Sequence, residues 1–490
     1  MQFHPAACGS GTPARGQPDM RGLRTRAEAI PGLKMQASPR SEAVLLLQVF
    51  ALAVMVIPSN TVLAPIGAAG YPASLVGLFI FLVFLATVLL GFHDPTRHRH
   101  PVQGVLCVLW VSVLVSSLVM DRGVLTGTEQ TGADRLLIQL AVLTGVALVA
   151  AEWLRSLSDV RRVLRVLSWG GAFCGVVAAL QFSVSLDVAQ YLRELPGFTL
   201  NHDNPAVFLR GAVNRVTGTA ITPIELGVVA GMLIPIAVYV GLYDRDRSTV
   251  RRWAPVALTS LGVATSVSRS AIISAVVGFG VLVVLMPPVP RLAALCAVPF
   301  AIAGAFVSAH GLIGTLTSFF SAGTTDSSIA WRVHDYSLVE RLWRDAPWFG
   351  HGGGTYIPDN PLNIFDNQYL HTTVELGAVG VVALTIFLVF PSIAALMARR
   401  RSRSPELRLL CAALAGPGLA AAACSLTFDS LSFPMFVNVY ALLIGLIGTC
   451  WRLAVAEGVP ATSSLPSASA VPGLIKPQSP GLAWRWRTEQ

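Results

Sequence analysis

Arg341 to Phe390 reads RLWRDAPWFGHGGGTYIPDNPLNIFDNQYLHTTVELGAVGVVALTIFLVF. The stretch opens polar, dense in glycine, proline and aromatic residues, and closes on an uncharged apolar run, VVALTIFLVF. A membrane-spanning helix needs about 20 mostly apolar residues, and the segment around Val374 to Ser392 meets that need. Backbone polar groups inside a bilayer must be satisfied within the segment, so a run of this kind is a helix. The same alternation of short polar segments and long apolar runs recurs on both sides of it.

Composition extends that reading to the whole chain. Of 490 residues, 53% are hydrophobic and 12% are charged, where a soluble chain carries about 25% charged residues. The fold class is therefore all-α, a polytopic integral membrane protein. A β-barrel is excluded, since its strands would be short and alternating rather than continuously apolar. Twelve spans are expected, near 43–60, 72–92, 102–120, 136–153, 165–186, 223–242, 254–268, 270–286, 291–309, 374–392, 408–427 and 433–451. The seventh and eighth adjoin at Ser268-Arg269-Ser270, as in a tight hairpin.

Charge gives the orientation. With the N-terminus in the cytoplasm, the inner segments hold 26 of the 35 Lys and Arg, and the outer loops hold 9. Short inner loops such as YDRDRSTVRRW and ARRRSRSPELR carry most of the bias, as the positive-inside rule requires. Both termini are expected in the cytoplasm, with residues 1–42 a disordered basic tail too polar to open a signal peptide, 43–455 the membrane domain and 456–490 a second disordered tail. Two long polar loops, about 187–222 and 310–373, then lie outside. The net charge of +9 follows from topology, and no basic stripe interleaved with aromatics points to nucleic acid. Cys8, Cys107, Cys174, Cys296, Cys411, Cys424 and Cys450 show neither metal spacing nor a paired framework.

The residues that carry chemistry gather on the outer face. Arg215 stands just before an apolar span and Glu225 in that span's first turn, where a carboxylate also suits the helix dipole. Arg269 sits between two nearly contiguous apolar runs. A cation there costs several kcal/mol unless it reaches water or an anion, and so is a functional candidate. Trp331 to Trp343 suits an amphipathic helix in the outer interface, with Arg332, Arg341 and Arg344 in or beside it. The run Gly350-His351-Gly352-Gly353-Gly354 is a turn, or a cradle of amides for an anion. With a helix starting near Asp366 or Asn367, residues Asn367, His371 and Glu375 fall on one face.

These elements, in this order, resemble the O-antigen ligase/polymerase-like family of bacterial membrane glycosyltransferases. Arg344-Asp345-Ala346-Pro347-Trp348-Phe349-Gly350 fits the family's lead-in. Asn367, Gly377 and Gly380 fit its loop signature, with Asp366 where the family has histidine. The resemblance covers about residues 205–390 and includes the serine-arginine-serine-alanine element at Ser268. It implies a GT-C-like bundle with a large extracytoplasmic loop in the inner membrane. The implied donor is a polyprenyl-diphosphate-linked oligosaccharide and the acceptor a glycan or lipid hydroxyl, with no cofactor and no metal. Arg215, Arg269, Arg332 and Arg344 would bind the diphosphate. Asp366, His371 and Glu375 would be catalytic, with Asp366 or His371 the general base. The alternative is a transporter or flippase for an anionic solute or lipid-linked sugar. It would need charged or broken-helix positions near mid-membrane, where these spans are nearly free of charge.

Overall fold

A computed structural model describes residues 39–67, 70–120, 125–193, 196–201, 207–210, 213–308, 327–358, 360 and 363–458. The tails at 1–38 and 459–490, and part of the expected outer loop, lie outside the described residues. The chain is a membrane protein built mostly of helices. The longer ones are α1 Pro39–Val56, α2 Pro72–Leu89, α3 Pro101–Val119, α4 Gly127–Trp153, α5 Leu157–Val184, α6 Pro223–Tyr243, α7 Thr249–Ser266 and α8 Arg269–Leu285. After these come α9 Pro288–Ser308, α10 Ser327–Asp345, α11 Gln368–Arg401, α12 Pro405–Cys424 and α13 Pro434–Gly458. Each of the twelve apolar stretches expected from sequence overlaps one of them, with several, 43–60 and 408–427 among them, running past a helix end.

Local chemistry sets where the helices begin. Proline opens α2, α3, α6, α12 and α13, because the first helical position needs no N–H and proline's fixed φ suits it. Thr126 and Glu129 form a reciprocal capping box on α4. Thr222 caps α6 and Ser404 caps α12 through their side-chain oxygens.

By length and apolarity, eight helices among the described residues are able to cross a membrane: α2 to α6 and α11 to α13. The apolar segments Glu42–Val56, Arg269–Leu285 and Pro288–Pro299, within α1, α8 and α9, are shorter. Helix α7 carries Arg251 and Arg252 in its first turn, which lowers its apolarity. Helix α6 is the hub, with 83% of its apolar window buried against 22% for α2, which therefore presents most of its surface outward. Around α6 pack α5, α7, α8 and α12, while α4 and α13 pair with each other and α11 lies along α12 and α3. Small residues permit the closest approaches, as where Gly416 of α12 meets the backbone of Gly278 in α8.

Two features depart from the sequence reading. Short antiparallel ribbons join the purely helical elements: β1 Thr61–Leu63 with β2 Phe198–Leu200, and β3 Val207–Arg210 with β4 Val213–Val216. Arg215 thus sits on a strand, opposite Phe208. The turn between α7 and α8 is as tight as expected, with Val267 left-handed at φ 45° and Ser268 extended. The two helices then splay apart, leaving an apolar crevice of about 540 Å³ between α6, α7, α8 and α9.

Candidate active site

The site begins with a broken helix. Gly377 interrupts α11 at φ 63°, ψ −162°, a region that only glycine enters at low cost. A break frees backbone groups that must be satisfied elsewhere. The lead-in loop does this: His351 N donates to Val374 O at 3.0 Å and Gly352 N to Glu375 O at 3.0 Å. In return, Ala378 N donates to Pro347 O at 2.9 Å and Val379 N to Trp348 O at 3.2 Å. Ser116 Oγ of α3 donates to the same Glu375 carbonyl at 3.1 Å. Gly350, at φ 67°, lies so close to that carbonyl that a Cβ would collide with it. Gly350 and Gly377 are thus the packing code of one loop docked into one helix break, while Gly380 lies against Leu376 of its own helix. The glycine run is no anion cradle at these positions, since the amides of His351 and Gly352 already serve the helix.

This docking holds the first turns of α11 at the end of the bundle. Asn367 caps the helix, its Oδ1 accepting from Tyr369 N at 2.9 Å and Leu370 N at 3.4 Å. His371 and Glu375 share one face, as expected, with His371 Nε2 3.1 Å from Glu375 Oε1. The other ring nitrogen, Nδ1, lies 2.9 Å from Asp429 Oδ2 in the turn between α12 and α13. Both nitrogens face carboxylates, an arrangement that suits imidazolium, which has a donor on each. Asp429 accepts from Ser432 Oγ, and its Oδ1 is buried with no hydrogen-bond partner among the described residues. Tyr356 N donates to Glu375 Oε1 at 3.3 Å. Its ring stacks on Phe365 at 4.8 Å and meets the imidazole edge-on at 5.9 Å. Burial, assisted by the charge of Asp335, pushes the Tyr356 phenol up to about 12, so it stays neutral and acts as a wall.

The arginines connect to this cluster through the α7–α8 turn. Arg215 Nε donates to Ser266 O at 3.2 Å. Arg269 is the first residue of α8 and is half-buried. A cation there opposes the helix dipole, whose positive end favours anions. Its neighbour Ser270 shares a 2.8 Å hydroxyl contact with Thr427, two residues before Asp429. Arg215, the Arg269 turn, Asp429, His371 and Glu375 therefore form one contiguous set across β4, α8, the 425–433 turn and α11.

Other expected residues are more exposed. Asp366 is exposed, just before the cap of α11. Arg344 is exposed on α10 and pairs at 2.5 Å with Glu340 of its own helix. The Arg332 side chain lies outside the described residues. Helix α10 does turn an apolar face inward, where Val339 packs with Phe365 and Val374, while Tyr336 and Trp343 face outward.

Two carboxylates carry more than sequence indicated. Asp429 belongs to no motif in the sequence, and its one signal there is an acidic residue in a short turn between two apolar runs. Glu225 is a three-way junction rather than a helix-dipole carboxylate alone. Fully buried, it accepts from Ser59 Oγ at 3.2 Å, Ile221 N at 2.8 Å, Met435 N at 2.8 Å and Phe436 N at 3.2 Å.

Residues 254–385 match the family model described as O-antigen ligase. These residues belong to an O-antigen ligase-like family. The ligase-like segment contains Arg269, Asp366, His371, Glu375, both halves of the docked loop and the break at Gly377. It is narrower than the 205–390 resemblance, leaving Arg215 and Asp429 outside the match. The match supports a glycosyl-transferring enzyme of O-antigen ligase type, in polysaccharide biosynthesis. No curated protein matches the chain.

Proposed function

We propose that this end of the bundle transfers glycan from a polyprenyl-diphosphate carrier to an acceptor hydroxyl at the outer face of the inner membrane. The observation that supports it is the contiguous set running from Arg215 through the Arg269 turn to His371. It joins cations suited to a diphosphate with carboxylates suited to a developing cationic sugar. The acceptor oxygen attacks the anomeric carbon, the bond from that carbon to the diphosphate oxygen breaks, and the carrier leaves as its diphosphate. Arg215 and Arg269 neutralise the leaving group by charge-assisted hydrogen bonds, at the N-terminal end of α8 where amides favour anions. The charge stabilisation is assigned to these arginines rather than to a metal. Arg332 and Arg344 are secondary members, Arg344 only after exchanging Glu340 for phosphate. The prenyl chain runs into the apolar crevice, whose lining reaches Val267 and Ser268 beside Arg269.

His371, held by a carboxylate at each ring nitrogen, has no nitrogen left to take the acceptor's proton. Asp366, exposed at the mouth of α11, is assigned that role. Imidazolium with Glu375 and Asp429 leaves one net negative charge facing the reacting centre, which favours an oxocarbenium-like transition state. The topology that accompanies this reading has twelve spans, both termini in the cytoplasm, a membrane domain over 43–455 and a large outer loop over about 310–373.

The test is polyprenyl-diphosphate release by protein in nanodiscs supplied with lipid-linked oligosaccharide. Release with glycan transfer, lost in Arg269→Ala and Asp366→Asn, is expected. Absence of release with every donor, alongside intact translocation of lipid-linked sugar, would replace the transferase with the transporter.

A further inference from the structure

A second concavity, of about 70 Å³, lies between α2, α4 and α13, next to the turn that carries Asp429. Its polar lining is Ser74, Arg135, Gln139, Ser432 and Asn438. Asn438 is only 2% exposed. Its amide nitrogen donates to Pro434 O at 2.8 Å and to Ser74 Oγ at 3.3 Å, which orients the group. Its Oδ1 is buried and has no hydrogen-bond partner among the described residues. Leaving such an acceptor unmade costs about 1–3 kcal/mol, and a bound O–H or N–H donor would recover it.

The pocket is tied to the reaction site through one turn. Ser432 lines the pocket and donates to Asp429, which holds His371. Gln139 Nε2 donates to Leu431 O at 2.6 Å, and Leu431 N donates to Gln368 Oε1 at 2.6 Å. The turn is thereby clamped between α4 and α11, with Asp429 directed to the histidine and Ser432 to the pocket.

We infer that this pocket seats one polar substituent of the acceptor glycan. A hydroxyl or N-acetyl group donates to Asn438 Oδ1, while Arg135 and the Ser74 hydroxyl, which accepts from Asn438 and keeps its own proton, serve its oxygen. A water occupies about 30 Å³ of liquid, so the pocket admits a few heavy atoms and the sugar ring stays at its mouth. Mixed amide, hydroxyl and guanidinium donors with one unmet acceptor suit a carbohydrate, whose hydroxyls both donate and accept. The assignment of the ligand as acceptor rests on the transferase reading above.

The experiment has two arms on full-length protein in nanodiscs. In the first, saturation-transfer NMR without donor uses methyl glycosides of a hexose, an N-acetylhexosamine and a hexuronic acid as probes. Transfer to at least one probe is expected, with binding weakened about tenfold in Asn438→Leu and in the surface variant Arg135→Ala, as loss of one hydrogen bond implies. No transfer to any probe, or transfer unchanged in both variants, overturns the inference and leaves a pocket for water. In the second, turnover with lipid-linked oligosaccharide is expected to show a raised acceptor KM and unchanged kcat in Arg135→Ala. Turnover with an unchanged acceptor KM defeats the acceptor pocket alone. Absence of turnover in wild type, with glycoside binding intact, defeats the transferase reading instead.

Discussion

Glu225 is an acidic residue at the end of an apolar run whose neighbours are backbone amides. Four donors from three segments converge on its carboxylate, two of them from the first turn of α13, where amides have no partner within their own helix. Glu225→Ala would leave those donors buried and unpaired, a loss of about 3 kcal/mol or more in total. A marked fall in Tm in detergent, with Glu42→Ala at an exposed position of α1 as the neutral comparison, is the expected result. Asp429 is a different case, since it contacts the imidazole rather than the frame. Asp429→Asn should keep the fold and lower kcat by about 10- to 100-fold, the scale for losing a group that orients a functional histidine. An equal loss of Tm and kcat would reduce Asp429 to a structural tie.

Helix α11 shows how an element makes a site by being interrupted. Its break is held by four backbone hydrogen bonds to one loop, and Gly350 and Gly377 make the approach possible. Alanine at Gly377 would force a side chain into a backbone region costing about 1–3 kcal/mol, with its Cβ 2.5 Å from the Trp348 carbonyl carbon. Gly377→Ala is therefore expected to straighten α11, release the 346–352 loop and abolish transfer. Faster protease cleavage within 346–358 would report the loop's release. Cleavage unchanged in an inactive variant would mean that the glycine serves chemistry and not docking.

For the molecule as a whole, the proposed topology puts every functional element on one membrane face. Reporter fusions after Arg247 and after Pro358 are expected to lie on opposite sides, the first cytoplasmic and the second outside. Matching sides would overturn the orientation and remove the common face on which the arginines and carboxylates meet. Apolar runs of spanning length, the prolines that open helices and the bias of arginine toward alternate loops were legible along the chain, because each is a local property of consecutive residues. The order of Arg215, Arg269, the glycine loop and His371 was legible for the same reason, and so was the pairing of His371 with Glu375, which needs only helical periodicity. Packing across distant segments was not. Asp429 meets His371 because α12 returns beside α11. Glu225 caps α13 because α6 lies at the centre of the bundle. The glycines are spaced to fit a loop that folds back into a helix break. A hydrogen bond between segments far apart in the chain leaves no period in either one, so only the tertiary structure decided these partners.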